Sequence, residues 1–414
     1  MLHAPPLPLL LLWLAWIGQA AVSAFQVYRL GRQLKRKIRL KFQLHRPRAT
    51  VIVPFKDTDD DLPANIASLC QQDYPDYQLV CVVESEQDAA HAVLNRELAR
   101  YPTCPSRVLV AGLAGANEGQ KVHNQRHALE VLDPQCADDE VWVFADSDAV
   151  PGPQWLAQIV GPLRRARKTA MSSSYRWLIP TAAGSSGPSI WSHLASICNS
   201  SVACQLGRYM VNHAWGGSMA IHVGAARRGN LRQRWTGALA DDYQATRMCR
   251  DLNQRIAFVA HCMVASPVQF DHGSLTNFAR RQYLITRIAS PWLYITALAL
   301  TSLYVAGFTS AVGFLIAGAQ SPTVAHLWWW PAGALLATWV LDQIRSSLRG
   351  WVIEQRFGRQ MRRQLRTTLL IDRWCTPLWM TWHWLIILSA AFGHTIAWRG
   401  VRYRMGGLQD TQRL

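Results

Sequence analysis

The stretch VWVFADSDAV, residues 141–150, decides how the chain is read. Val141 to Ala145 form an apolar run of the length and composition of a buried strand. The run stops at Asp146-Ser147-Asp148, which places two carboxylates one residue apart where a core strand ends. Upstream the same alternation recurs. ATVIVPF (49–55) is a β-branched run followed by an acidic turn, KDTDDDLP, and a helix is expected over 63–72 with Pro63 in its first turn. YQLVCVVE (77–84) is a second strand, with a second helix over 87–100. RVLVAG (107–112) is a third strand, followed by a helix after Gly119. Strands alternating with helices predict an α/β domain with a parallel, doubly wound sheet. Ligands of such sheets sit at the carboxyl ends of the strands. Asp146, Asp148 and Glu84 all occupy such ends.

The flanks are of a different kind. Half of the 414 residues are apolar, 19 are Trp, and the formal net charge is +17. Residues 5–27 carry no charge and are long enough to cross a bilayer. They are followed by RLGRQLKRKIRLKFQLHRPR, with nine Arg or Lys and no acid. Positive charge stays on the cytoplasmic side, so the domain that follows is expected there. A cleaved signal peptide is the competing reading, since VSA resembles a cleavage site, but no basic residue precedes the apolar run. Further apolar stretches lie at 291–319, 327–344 and 374–398, and between the last two lies an Arg-rich segment with eight Arg. The expected organisation is a transmembrane helix (1–28), a basic cytosolic linker (29–48), the α/β domain (49–290), a transmembrane helix pair (291–344), a basic cytosolic or interfacial segment (345–373), a transmembrane or re-entrant segment (374–398) and a basic tail (399–414). Basic clusters beside apolar segments favour a membrane surface, and no nucleic-acid-binding module is recognised, so nucleic acid is not an expected partner. Nine scattered Cys without a CxxC pair read as free thiols rather than a disulfide framework or zinc site.

Two acids at i and i+2 after a strand are able to approach one divalent ion. Oxygen ligands suit Mg²⁺ or Mn²⁺, which commonly bind through one or two carboxylates plus substrate phosphates. Asp146 and Asp148 are therefore candidate metal ligands and a nucleotide diphosphate the natural third party; a solvated turn is the bland alternative. A second acidic pair, Asp241-Asp242 in ALADDYQATRM, is either a general base for an acceptor hydroxyl or a helix cap.

Taken in order, these segments resemble the family 2 glycosyltransferases and, more closely, the ceramide glucosyltransferases. DYPDYQLVCVVESEQD resembles the segment around that family's first acid, which falls on Glu84; GQKVHN resembles its Lys-Asn segment, with Lys121 and Asn124; FADSD carries the D-x-D; WGGSMAI resembles its acceptor-side Gly loop, with Gly216 and Gly217; ADDY falls on its E-D-Y; and IAWRGVRYRMGG resembles its C-terminal tail. The resemblance implies a GT-A nucleotide-sugar-binding domain, a Rossmann-like mixed sheet, held by transmembrane and interfacial α-helices. It implies an inverting transfer of a hexose, glucose, from a UDP-sugar to a lipid hydroxyl of the ceramide or diacylglycerol kind. On this reading Asp242 is the catalytic base, with Asp241 beside it on the acceptor side. Pro54, Glu84, Lys121, Asp146, Arg281 and Arg287 bind the donor, and Asp146 and Asp148 hold the Mg²⁺ or Mn²⁺. One departure stands out: the family's Arg-Trp pair falls on Leu284 and Ile285, and Arg287, on the same helical face three residues beyond Leu284, or Arg280 is left to supply the charge. A processive polysaccharide synthase and a catalytically degenerate nucleotide- or lipid-binding scaffold are the alternatives. The protein is expected in a membrane with its catalytic domain facing the cytoplasm.

Overall fold

We describe a computed structural model of the chain, covering residues 4–36, 44–58, 61–165, 168–182, 187–207, 212–321, 325–398 and 400–414. Residues 37–43 of the basic linker, 59–60 of the acidic turn, 322–324 of the segment expected as a helix pair and 399 at the start of the tail lie outside the described residues. The chain divides into two compact units. One comprises 36–177, 206–266 and 394–414, and the other 1–35, 178–205 and 267–393.

The first unit is built on a seven-stranded sheet. Its strands are β1 (Ala49–Pro54), β2 (Tyr77–Val83), β3 (Ser106–Val110), β4 (Val141–Ala145), β5 (Thr169–Ser173), β7 (Ser218–His222) and β8 (Arg255–Phe258), while β6 (Arg176–Pro180) and β9 (Val264–Val268) pair in a separate two-stranded ribbon. The spatial order is β3-β2-β1-β4-β7-β5-β8. β3, β2, β1 and β4 run parallel, β7 is antiparallel to β4 and β5, and β5 is parallel to β8. The sheet is therefore mixed, as the resemblance implied, because the chain returns through β7 against the end strand of the first, parallel half.

The strands are buried on both faces, so they read as nearly continuous apolar runs. The period of two still sorts their side chains. Val51, Val53, Leu79, Cys81, Val143 and Ala145 join one core with the helices Leu62–Cys70, Ala89–Leu98 and Trp155–Val160. Ile52, Val80, Val82, Trp142 and Phe144 join the other with Gln120–Leu132 and Asp241–Asp251. The expected first helix over 63–72 runs Leu62–Cys70, with Pro63 in its first turn as anticipated.

The tail 399–414 is more than a basic extension. It supplies two strands of a three-stranded antiparallel sheet, β10 (Thr395–Trp398), β11 (Val401–Gly407) and β12 (Asp410–Arg413). It docks through backbone groups: Gln244 donates to the Leu408 carbonyl at 3.0 Å, Gln409 donates to the Gln233 and Thr236 carbonyls, and Arg413 N–H donates to the Ala116 carbonyl. Gly237 (φ +75°) has no room for a Cβ because the Gln409 carbonyl lies against it.

The second unit is helical: Leu7–Lys35, Ile190–Ala203, His272–Ala289, Pro291–Gln320, Trp329–Gln364, Arg366–Trp374 and Thr376–Ser389. Leu7–Lys35 and Pro291–Gln320 are long and apolar enough to cross a membrane. Two boundaries expected from charge fall elsewhere. The break expected at 344/345 lies inside one helix, Trp329–Gln364, kinked at Gly358 (φ 89°). Its Arg345 and Arg349 are not a solvated basic face; both are buried, at 4 % and 3 % exposure, against Asp342 and Asp372. The stretch 374–398 forms a 14-residue helix, Thr376–Ser389, and then strand β10. Fourteen residues rise about 21 Å, short of a hydrocarbon core of about 30 Å.

Candidate functional site

The site grows out of strand order. β4 ends at Ala145, whose antiparallel partner is Ser218 at the start of β7, so the loop Trp215-Gly216-Gly217 runs beside Asp146. That closeness explains the two glycines: a Cβ on Gly217 would fall on an Asp146 carboxylate oxygen and the Trp215 ring, and one on Gly216 on the Asp241 carboxylate. The loop is held from below by Ser173 Oγ, which accepts from Trp215 N–H at 2.9 Å, and by Trp155 Nε1, which donates to Ser218 Oγ at 2.8 Å.

The helix Gln120–Leu132 starts at Gly119 and aims its first turn at the same place. Lys121 Nζ donates to Asp146 Oδ1 at 2.7 Å and lies 3.3 Å from Asp241 Oδ2. One turn on, Gln125 Nε2 donates to the same Asp241 oxygen at 2.9 Å. Asn124 turns instead toward the sheet. It accepts from Gln120 Nε2 at 2.7 Å and reaches back to the Val82 carbonyl at the end of β2. Burial alone would lower the Lys121 ammonium pKa, but the Asp146 and Asp241 carboxylates more than reverse this and hold it above its ordinary value.

Asp241 and Asp242 open the helix Asp241–Asp251, where the dipole favours acids. Asp241 is not its cap. The N-cap is Ala240, without a side-chain bond, and the Asp241 carboxylate is buried against Lys121 and Gln125 instead. Asp242 Oδ1 accepts from Tyr243 N–H at 2.8 Å, and the Gly216 N–H also bonds its carboxylate. Burial, and after it the neighbouring Asp241 charge, push the Asp242 carboxyl up to about 7. Asp148 also sits above its ordinary value, first through loss of hydration and second through the Asp146 charge, with the Arg176 and Lys121 charges opposing both.

The remaining expected residues divide. Pro54 ends β1 and Glu84 follows β2, one strand over. Glu84 pairs with Lys56 at 3.2 Å. Arg281 and Arg287 belong to the helix His272–Ala289 of the helical unit. There the Arg287 guanidinium donates to the carbonyls of Ala391 and Gly393, Arg280 donates to that of Phe392 at 2.8 Å, and Arg281 stacks over Phe278. Leu284 and Ile285, which stand where an Arg-Trp pair was sought, are buried at 0 % and 9 %. Three residues escaped the sequence reading. Gln125 lies on the face of Lys121 four residues on, a spacing that was available as a signal. Lys56 was lost among the charges of KDTDDD. Arg176, whose charge acts on Asp148 and whose guanidinium lies 5.9 Å from the Trp215 ring centroid, carries no local signal.

The donor set suits a hard divalent cation. Two neighbouring carboxylates, of which the Asp146 charge raises the proton affinity of Asp148, are what such an ion uses together with substrate phosphates. Among the described residues no group of three or more His, Cys, Asp or Glu converges, and Asp146 and Asp148 are the residues that would hold such an ion.

The chain matches Glycosyl transferase family 21 over residues 11–409. Among solved structures, it is similar to a mannosyltransferase from Pyrobaculum calidifontis in complex with GDP-Man and Mn²⁺, with 15% identity over 92% of this chain and 97% of that one and a TM-score of 0.45. It is also similar to glucosyl-3-phosphoglycerate synthase from Mycobacterium tuberculosis in complex with Mn²⁺, UDP and glucosyl-3-phosphoglycerate, with 15% identity over 60% and 82% of the two chains and a TM-score of 0.38.

Proposed function

The chain belongs to glycosyl transferase family 21, and from that premise we propose that it is a membrane-bound inverting transferase that moves a hexose, glucose, from a UDP-sugar to the hydroxyl of a ceramide-like or diacylglycerol-like lipid. Its mixed sheet with an acidic strand end is the GT-A fold expected of nucleotide-sugar glycosyltransferases. The segments resembled family 2 and, more closely, the ceramide glucosyltransferases; the match is to family 21, the ceramide glucosyltransferase family.

The observation that carries the reading is the Asp242 carboxyl near 7 beside the Gly216-Gly217 loop. A base works best when its pKa lies near the working pH. In a single displacement the acceptor oxygen bonds to the anomeric carbon as the bond to the diphosphate breaks, and the hydroxyl proton goes to Asp242. Gly216 and Gly217 keep the backbone low, so the acceptor hydroxyl is able to approach the acids. Lys121 holds Asp146 and Asp241 in register and brings positive charge to the donor side. Glu84, fixed by Lys56, and Pro54 border the donor at the ends of β2 and β1. Asp146 and Asp148 would hold the divalent ion, which supplies charge neutralisation to the leaving diphosphate. Leu7–Lys35 and Pro291–Gln320 would anchor the protein, with the catalytic unit on the cytoplasmic side as the basic flank suggests.

The test is to incubate membranes containing the wild type or Asp242→Asn with labelled UDP-sugars and to identify the labelled product. A labelled single-sugar lipid made by the wild type alone supports the reading. A labelled polymer would move the protein to processive synthesis. Nucleotide binding without any transfer would make it a scaffold.

A further inference from the structure

Lys121 and the Asp241-Asp242 pair stand in the first turns of two helices whose N-caps, Gly119 and Ala240, make no side-chain hydrogen bond. A helix end of this kind takes its position from whatever satisfies the backbone around it. Part of that support is mutual. Gly119 N–H donates to the Ala238 carbonyl at 3.0 Å, and Leu239 lies so close to Gly119 that a Cβ there has no room. The rest comes from the far end of the chain. Strands β11 and β12 are joined by a two-residue turn, Leu408-Gln409. Gln409 Nε2 donates to the Gln233 carbonyl at 3.0 Å and to the Thr236 carbonyl at 3.2 Å, just ahead of the acidic helix. The Gln409 carbonyl lies where a Cβ on Gly237 would go. Gln244, in the first turn of that helix and 2 % exposed, donates to the Leu408 carbonyl at 3.0 Å. Arg413 N–H donates to the Ala116 carbonyl at 2.6 Å, three residues before Gly119. One hairpin thus bonds to both segments that bring Lys121 and Asp241-Asp242 together. It is itself seated rather than splayed: Met405 and Thr411, opposite each other across β11 and β12, are both 1 % exposed.

We propose that the C-terminal hairpin is a positioning element of the transfer reaction: through Gln409, Leu408 and Arg413 it fixes Asp241-Asp242 against Lys121, and the rate depends on it. The inference rests on the reading of Asp242 as the base. A base has to reach the hydroxyl proton within hydrogen-bond distance, and a misplacement of about 1 Å is able to cost about 10²-fold in rate. The hairpin acts through the helix starts, so it governs geometry rather than donor affinity. It also governs hydration. The charged groups that act on Asp242 are Asp241, which adds to the effect of burial, and Lys121, which opposes it. A segment freed from Gln409 lets water back to the Asp242 carboxyl, which then falls from about 7 toward the ordinary carboxylate range.

The experiment compares full-length wild type, Gln409→Leu and Gln244→Met in membranes, using the labelled UDP-sugar that the wild type transfers. Gln409 is exposed, so its replacement removes the two bonds to the Gln233 and Thr236 carbonyls without opening the core. Gln244→Met breaks the bond to Leu408 from the other side. Each variant should lower kcat about 10-fold, part of the loss that a full misplacement brings, with UDP affinity held. The midpoint of kcat/KM against pH should move below about 7. Hydrogen exchange should quicken at residues 116–122 and 236–245 while the amides of β1 and β4 stay protected. A tail that serves stability alone lowers the melting temperature and leaves the rate per folded molecule and the pH midpoint unchanged, and that result in both variants overturns the proposal. If the wild type transfers no sugar, the transferase reading fails, and exchange by itself then decides the hairpin's role: unchanged exchange at 116–122 and 236–245 in Gln409→Leu overturns it.

Discussion

Each unit carries a cluster of charge, and the two clusters differ in burial and in balance. In the helical unit Asp342 and Asp372 face Arg345 and Arg349: Asp372 accepts from Arg345 at 3.2 Å and from Arg349 at 2.7 Å, and both guanidiniums lie over Trp379. Two negative charges meet two positive ones, and Thr376 and Ser201 take further guanidinium N–H groups. In the catalytic unit Asp146, Asp148, Asp241 and Asp242 surround one ammonium, Lys121, with Arg176 acting on Asp148. That cluster has negative charge to spare, which adds to the loss of hydration that first makes Asp148 and Asp242 bind protons more tightly than usual. A balanced buried cluster serves packing and specificity. An unbalanced one at the end of a strand is prepared for cations and protons that arrive with substrate.

The largest expected effect tests the unbalanced side. Asp242→Asn should cut transfer about 10²- to 10⁴-fold while UDP-sugar binding persists. It should also raise the melting temperature at neutral pH. The carboxyl rises from 3.8 to about 7 on folding, so the folded state holds a proton that the unfolded chain releases. Stability is therefore lost as pH rises through that window, and above about 7 the whole cost remains; Asn does not incur it. For the wild type, kcat/KM should rise with pH to a plateau above about 7. A flat profile, or an Asn variant that transfers normally, removes Asp242 from the base role.

The balanced side should respond in the opposite way. Arg349→Met leaves Asp372 short of a partner and should destabilise the helical unit by about 3–5 kcal/mol, read as lower yield and a lower melting temperature. Activity per folded molecule should stay near wild type. A large loss of turnover in well-folded Arg349→Met would erase the distinction between the clusters.

Asp148→Asn should weaken the apparent affinity for Mn²⁺ or Mg²⁺ about 10- to 100-fold. A chelator should silence the wild type, with restoration by either ion; full activity in chelator sinks the metal assignment. The smallest effect is structural. Gly216→Ala forces a methyl onto the Asp241 carboxylate, which should cost about 1–3 kcal/mol and lower transfer more than it lowers donor binding, as separate kcat and donor-affinity measurements would show.

The predictions depend on residues that differ in how plainly the chain announces them. β1 to β4 and their helices were legible because strands buried on both faces are written as apolar runs and stop at polar turns. Asp146 and Asp148 were legible because they follow such a run directly, and Asp241-Asp242 because the ADDY segment resembles a known pattern. Their partners were not. Lys121 and Asp241 lie 120 positions apart, and Lys56 meets Glu84 only because β1 and β2 are neighbours in the sheet. The Arg-rich segment misled for the same reason: Arg345 and Arg349 look solvated until Asp342 and Asp372 are brought against them.

By itself the sequence determined the alternation of elements, the two long apolar helices and the acids at the strand ends, because these follow from local periodicity and from which residues solvate or bury their own neighbourhood. Only the tertiary structure decided that β7 runs antiparallel, that Asp241 binds Lys121 rather than capping its helix, that the C-terminal residues close into a sheet, and that Asp242 holds its proton to about 7. Each of these depends on what a group meets across the fold. Burial and charge are properties of a neighbourhood, and the neighbourhood of Asp242 is assembled from segments more than a hundred residues apart.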